Sequence, residues 1–135
     1  MRIVADTNVL VSALLAPGGG PGALLAAVDA GEMILVAAPG LLDELGEVLA
    51  RDRFRIWVST EQVETYLDTI RNHAELVDDP DEVTPVSRDP DDDCLIVLAR
   101  AAHADALVTG DEDLTSLELA DLAILTPRQV LDRLS

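Results

Sequence analysis

The chain has 135 residues, 49% of them hydrophobic, with 26 acidic and nine basic side chains and a formal charge of −17. That length fits one compact domain over residues 1–135, and the apolar share is enough to build a core, which excludes a disordered acidic tail. All nine basic residues are arginines, so chemistry that depends on a lysine (a Schiff base, a P-loop, a phosphate clamp) is excluded.

Arg2 to Ala5 is a short apolar run ending at Asp6, and Ile34 to Ala38 and Ala106 to Thr109 are similar runs bounded by Gly, Pro or Asp. They read as buried parallel strands. A helix beginning near Thr7 or Asn8 follows the first, and Pro17 to Gly22 (PGGGPG) reads as a flexible turn without the Lys-Ser/Thr of a P-loop. Apolar residues at three-to-four spacing predict helices over Gly22 to Ala30, Pro39 to Arg51, Thr60 to Asn72 and Asp91 to Ala104. Weaker strands are expected at Ala74 to Val77 and Ala123 to Leu125, and Asp78 to Pro90 reads as a surface crossing. Ser59 with Gln62 and Thr126 with Gln129 form capping boxes, the second with Pro127 at the first helical position. Alternating strands and helices imply an α/β fold, three layers deep (α/β/α), around a central parallel sheet.

Cys94 is the single cysteine, which excludes an intramolecular disulfide and a Cys-rich zinc site and suits a reducing cytosol. The N-terminal MRIVADTN has too few apolar residues for a signal peptide, and apolar runs elsewhere are broken by charges or glycines. A cytoplasmic protein without a membrane span is expected. His73 and His103, unpaired and away from the acidic motifs, are assigned surface or helix-end roles.

In open α/β sheets ligands bind beyond the carboxyl ends of the strands. Here those places carry acids: Asp6 after the first strand, Asp89 to Asp93 (DPDDD) at the helix after the third, Asp111 and Asp113 after the fourth, and Glu44 one helical turn beyond the second. Each has a plain structural explanation as well. Asp6 is a favoured N-cap, Glu44 a solvated helix residue, and the aspartates at 91–93 and at 111 and 113 suit helix starts. Their coincidence at one sheet edge points further, because crowded carboxylates either raise their pKa values or recruit a cation. Hard oxygen ligands with little His or Cys select Mg²⁺ or Mn²⁺, and such ions support phosphodiester hydrolysis.

VADTNVLVSALL, LLDELGEVLARDRF, SRDPDDDCLIVLARAAHADALVTGDEDL and ILTPRQVL together make the chain similar, nearly end to end, to the PIN-domain nucleases, in particular those acting as toxins of toxin–antitoxin pairs. The resemblance implies a PIN-like fold and a metal-dependent endoribonuclease, with Mg²⁺ or Mn²⁺ held by Asp6, Glu44, the DPDDD segment and Asp111. Within that segment the family's third acid matches Asp92, with Asp93 a rival. Thr7, Asn8 and Thr109 match positions that hold the carboxylates by hydrogen bonds, and Asp113 stands behind Asp111. RNA substrate, a cognate antitoxin and a homodimer are the implied partners. Against RNA stands the charge of −17, which repels a polyanion; Arg51 and Arg53 with Arg55 at the end of the Glu44 helix, and Arg88 before the acidic loop, offer a local cationic rim, or else serve as helix C-terminal charges. The alternatives are a catalytically silent PIN module acting as a protein-binding scaffold and a housekeeping RNA-processing nuclease.

Overall fold

The computed structural model describes residues 1–80 and 90–134, and for residues 90–92 the backbone only. Among the described residues, five strands, β1 (Arg2–Ala5), β2 (Ile34–Ala37), β3 (Glu75–Leu76), β4 (Ala106–Val108) and β5 (Ala123–Leu125), form one parallel sheet in the order β3-β2-β1-β4-β5. The register pairs Ile3 with Leu35 on one side and with Ala106 on the other. The apolar sequences of β2 and β4, and of β1 after Arg2, fit strands covered on both faces. The exposed two-residue β3 sits at the sheet edge, where a short strand limits unwanted pairing. β2 stops at Ala37, one residue before the expected end, because Ala38 precedes Pro39 and stays extended as the entry to the next helix.

Among the described residues, seven helices connect and cover the sheet: α1 (Thr7–Leu15), α2 (Gly20–Asp29), α3 (Pro39–Leu49), α4 (Thr60–His73), α5 (Pro90–Ala101), the single-turn α6 (Glu112–Thr115) and α7 (Pro127–Leu134). Both expected capping boxes form. Gln62 N donates to Ser59 Oγ at 3.1 Å while Ser59 N donates to Gln62 Oε1 at 2.7 Å, and Thr126 and Gln129 exchange the same pair at 3.2 and 2.9 Å. α1 packs on α2 and α3, α2 on α7, and α5 on β1 and β4. One contiguous core results, with Ile3, Leu10, Leu24, Leu35, Ile96 and Leu107 fully enclosed. The Tyr66 hydroxyl donates to the Leu10 carbonyl at 2.5 Å, tying α4 to α1, and burial pushes its phenol above the usual tyrosine range.

Several boundaries differ from the expected ones for local reasons. α2 starts at Gly20 rather than Gly22, with a proline in its first turn, so half of PGGGPG is helical rather than a turn. α3 ends at Leu49 rather than Arg51, and the Leu49 carbonyl accepts from the Arg55 guanidinium. A short 3₁₀ turn, Asp52–Phe54, then buries Phe54 while Trp57 stays 63% exposed. α5 stops at Ala101 rather than Ala104 because His103 adopts φ 53°, letting His103 N reach Arg100 O at 3.1 Å and Ala104 N reach Ala99 O at 2.9 Å. This is the Schellman stop usually made by glycine. His73, expected to be unpaired, lies 3.5 Å from Asp29. Residues 81–89 of the expected surface crossing lie outside the described residues, and no single helix among the described residues is long and apolar enough to cross a membrane.

Two stability measurements follow from this packing. A Cβ on Gly22 would lie 2.1 Å from the Pro17 carbonyl oxygen, a backbone clash that side-chain motion cannot relieve. Gly22→Ala is therefore expected to lower unfolding stability by about 1–3 kcal/mol, whereas Gly18→Ala, with nothing within 4 Å, is tolerated; urea melts of the two variants provide the comparison. His103→Gly relieves a left-handed residue and is expected to raise stability by roughly 1 kcal/mol in the same assay.

Candidate active site

Chain connections leave β1 toward β2 on one side and reach β4 on the other, so the carboxyl ends of β1 and β4 form the topological switch point of the sheet. The backbone ladder runs one residue past both strands: Asp6 N donates to Val108 O at 2.8 Å and Thr109 N to Leu125 O at 2.9 Å. This fixes the backbone of Asp6 and Thr109 side by side. Across the gap the Thr109 hydroxyl donates to Asp6 Oδ2 at 2.9 Å, and Asp6 Oδ1 accepts from the Asn8 backbone N–H at 3.0 Å. Asp6 thus also caps α1, and its capping role and its place at the switch point coexist.

Among the described residues, the buried polar side chains are Asp6, Thr7, Asp93 and Thr109. Burying polar groups is costly unless each is hydrogen-bonded, and here they gather at one edge of the sheet and the start of the helix packed on it. Thr7 donates through its hydroxyl to Glu44 Oε2 at 3.2 Å, which ties α3 to the first turn of α1. The Thr109 hydroxyl also accepts from Asp111 N at 3.0 Å, and Asp111 Oδ1 accepts from Asp113 N at 2.9 Å, capping α6. Hydrogen bonds therefore connect Asp6 through Thr109 to the Asp111 backbone, and Glu44 to Thr7, the residue beside Asp6. Asn8 and Asp113 contribute their backbone N–H groups rather than their side chains.

Asp93 is 5% exposed in the first turn of α5, the helix packed on β1 and β4. Of Asp92 only the backbone, within α5, is described, and Arg88 lies outside the described residues. Among the residues whose side chains are described, no group of three His, Cys, Asp or Glu is close enough to hold a metal ion by itself. The donor chemistry nonetheless fits a hard divalent cation. Asp6 spends one acceptor position of each oxygen on a fixed donor, and each carboxylate oxygen has a second lone pair.

A cleft of about 590 Å³ opens beside this edge, lined by Gly40, Leu41, Glu44, Glu47, Val48, Arg51, Asp79, Pro80, Cys94, Leu95 and Leu98. Glu44 belongs to both the cleft and the hydrogen-bonded acids. Asp79 turns both carboxylate oxygens toward Gly40 N, each at 3.1 Å. It caps α3 from a distant loop, since Ala38 at the N-cap has no side-chain acceptor. A Cβ on residue 40 would lie 2.8 Å from Asp79 Oδ1, so glycine permits the approach. Sequence reasoning missed Asp79; the absence of a Ser, Thr, Asp or Asn before Pro39 signals that an acceptor is needed but does not say which. Of the expected cationic rim, Arg51 lines the cleft, Arg53 lies over the Phe54 ring at 4.8 Å, and Arg55 is spent on Leu49 and Thr60.

Comparison with known proteins agrees with this architecture. A family model described as PIN domain matches residues 2–113. An uncharacterized protein of Methanocaldococcus jannaschii is 31% identical over 117 residues, 87% of this chain and 75% of that protein. Two solved structures share the fold. VapBC2 from Rickettsia felis, bound to a DNA fragment from their promoter, matches with TM-score 0.63 at 17% identity over 92% of this chain and 97% of that one. PAE2754 from Pyrobaculum aerophilum matches with TM-score 0.66 at 20% identity over 99% and 89%. The chain belongs to the PIN domain family, the nuclease family that its sequence motifs resemble.

Proposed function

We propose that the protein is a cytoplasmic, Mg²⁺- or Mn²⁺-dependent endoribonuclease that serves as the toxin of a toxin–antitoxin pair. The observation that carries this reading is the set of buried polar side chains Asp6, Thr7 and Thr109 at the switch point of a PIN fold, with Asp93 buried in the first turn of the helix packed on β1 and β4. Fixed hydrogen bonds offset the cost of burying the Asp6 carboxylate, and the second lone pair of each oxygen remains for a cation. Asp6, Glu44 and Asp111, with an acid from the start of α5, are the proposed metal ligands. The burial of Asp93 in a helix packed on β1 and β4 supports it as that acid, with Asp92 as the alternative. When bound, the metal supplies charge neutralisation at phosphorus and an acidified water.

The chain's own residues do the rest. Thr109 and the Asn8 N–H hold the Asp6 carboxylate in one orientation, and Thr7 holds Glu44, so the acids need not reorganise when substrate arrives. Hydrolysis joins the hydroxyl of water to phosphorus in line with the departing 3′ oxygen, which takes a proton, leaving 5′-phosphate and 3′-hydroxyl ends. No protein nucleophile enters. The toxin assignment draws on the VapBC2 likeness, and a small antitoxin laying a basic side chain among the acids would neutralise the same edge. A catalytically silent scaffold is disfavoured because acids occupy every expected place, and a homodimer is part of the proposal.

Cleavage of a structured and an unstructured RNA with Mg²⁺, Mn²⁺ or chelator tests this reading. Asp6→Asn is expected to lower the rate by at least about a hundredfold with unchanged circular dichroism, and chelation to abolish cleavage; metal-independent activity, or activity indifferent to the substitution, would overturn it. Comparing Asp93→Asn with Asp92→Asn decides which acid serves, the larger loss marking the ligand. Thr109→Val keeps the buried volume but removes the donor to Asp6. It is expected to slow cleavage by roughly 10–100-fold and to raise the Mg²⁺ concentration needed for half-maximal rate.

A further inference from the structure

We infer that the cleft beside Glu44 is a nucleobase subsite that selects a guanine adjacent to the scissile phosphate of single-stranded RNA. This rests on the nuclease reading above and adds the substrate feature that the site recognises. The cleft's volume of about 590 Å³ falls in the range of small-ligand sites and is ample for one nucleotide. Glu44 is shared between the cleft and the acids, so an occupant is contiguous with the bond being cut. Leu41, Val48, Leu95 and Leu98 give it apolar walls against which the faces of a planar base can lie.

Two charged groups define what enters, Glu47 on α3 and Arg51 just beyond its end. Glu44, Glu47 and Arg51 follow at spacings of three and four and line the same cleft. In a chain of 26 acids and nine arginines, Arg2, Arg71 and Arg100 are each paired with a carboxylate and Arg55 with a carbonyl. Arg51 forms no ion pair or hydrogen bond among the described residues, although Glu47 stands one turn away. A guanidinium left open in a cleft beside the acids is suited to a backbone phosphate. Asp79 is occupied by Gly40 N, which leaves Glu47 as the exposed acceptor. Guanine alone among the four bases presents two parallel N–H donors, N1–H and N2–H, to a carboxylate. Adenine and cytosine set an acceptor beside their amino group and uracil flanks its single N–H with carbonyls, so each places a lone pair against the carboxylate.

The test uses short oligouridylates carrying one internal guanosine, adenosine or cytidine, with plain oligouridylate as the reference. With wild-type protein and Mg²⁺, cleavage beside the guanosine is expected to be at least about tenfold faster than at the other bases. Glu47→Gln is expected to reduce that preference, read as the ratio of rates between the guanosine and the other substrates, to within about threefold, and Arg51→Met to slow all substrates and flatten the dependence on salt. Both side chains are exposed, and circular dichroism verifies folding. Binding of the same labelled RNAs to Asp6→Asn, read by fluorescence anisotropy, isolates the subsite from the chemistry. Guanosine preference in binding without cleavage by wild type supports the subsite and refutes the nuclease reading. Cleavage with equal rates at all four bases, or a guanosine preference that survives Glu47→Gln, overturns the subsite while the nuclease stands.

Discussion

The hydrogen bond from the Thr109 hydroxyl to Asp6, 2.9 Å long, is the contact on which the rest of the site depends. It bridges two strands that are neighbours in the sheet yet 103 residues apart in the chain, at the place where their connections diverge and leave a crevice. Threonine there is fully buried, and its hydroxyl is used twice, as donor to Asp6 and as acceptor from Asp111 N. One side chain therefore sets both the rotamer of one acid and the backbone start of the segment carrying another. The cost of burying a carboxylate is offset by fixed donors on both of its oxygens.

The same economy recurs around the edge. Asp6 caps α1, Asp111 caps α6 and Asp79 caps α3, so residues that read as helix caps also carry the electrostatics of the crevice. Removing such a residue affects two levels at once, local helix stability and the charge of the site, which is why comparisons at Thr109 and Glu47 are cleaner than deletions of the acids themselves. The charge of −17 opposes approach of RNA at long range, and salt screens that repulsion. In the proposed function, close contact relies instead on individual groups, of which Arg51, lining the cleft, is the one proposed.

Much of this was legible from the residues in order. The apolar runs placed all five strands, the two capping boxes placed the starts of α4 and α7, and the acids following β1 and β4 marked the sheet edge as the place to look. Boundaries slipped where no repeating pattern marks them: α3 stopped at Leu49, whose carbonyl takes the Arg55 guanidinium, and a left-handed His103 ended α5. Helical periodicity carries no record of either, because each depends on one side chain or one dihedral rather than on a pattern.

By itself the sequence determined the fold class and named the candidate acids, since hydrophobic period and residue chemistry are local properties of the chain. Only the tertiary structure decided which donors are fixed: that Thr109 holds Asp6 while Thr7 holds Glu44, that Asp79 caps α3, and that Arg51 rather than Arg53 faces the cleft. Those assignments require distances between segments tens of residues apart. Such distances are set by strand order and helix packing, which no stretch of the chain encodes alone.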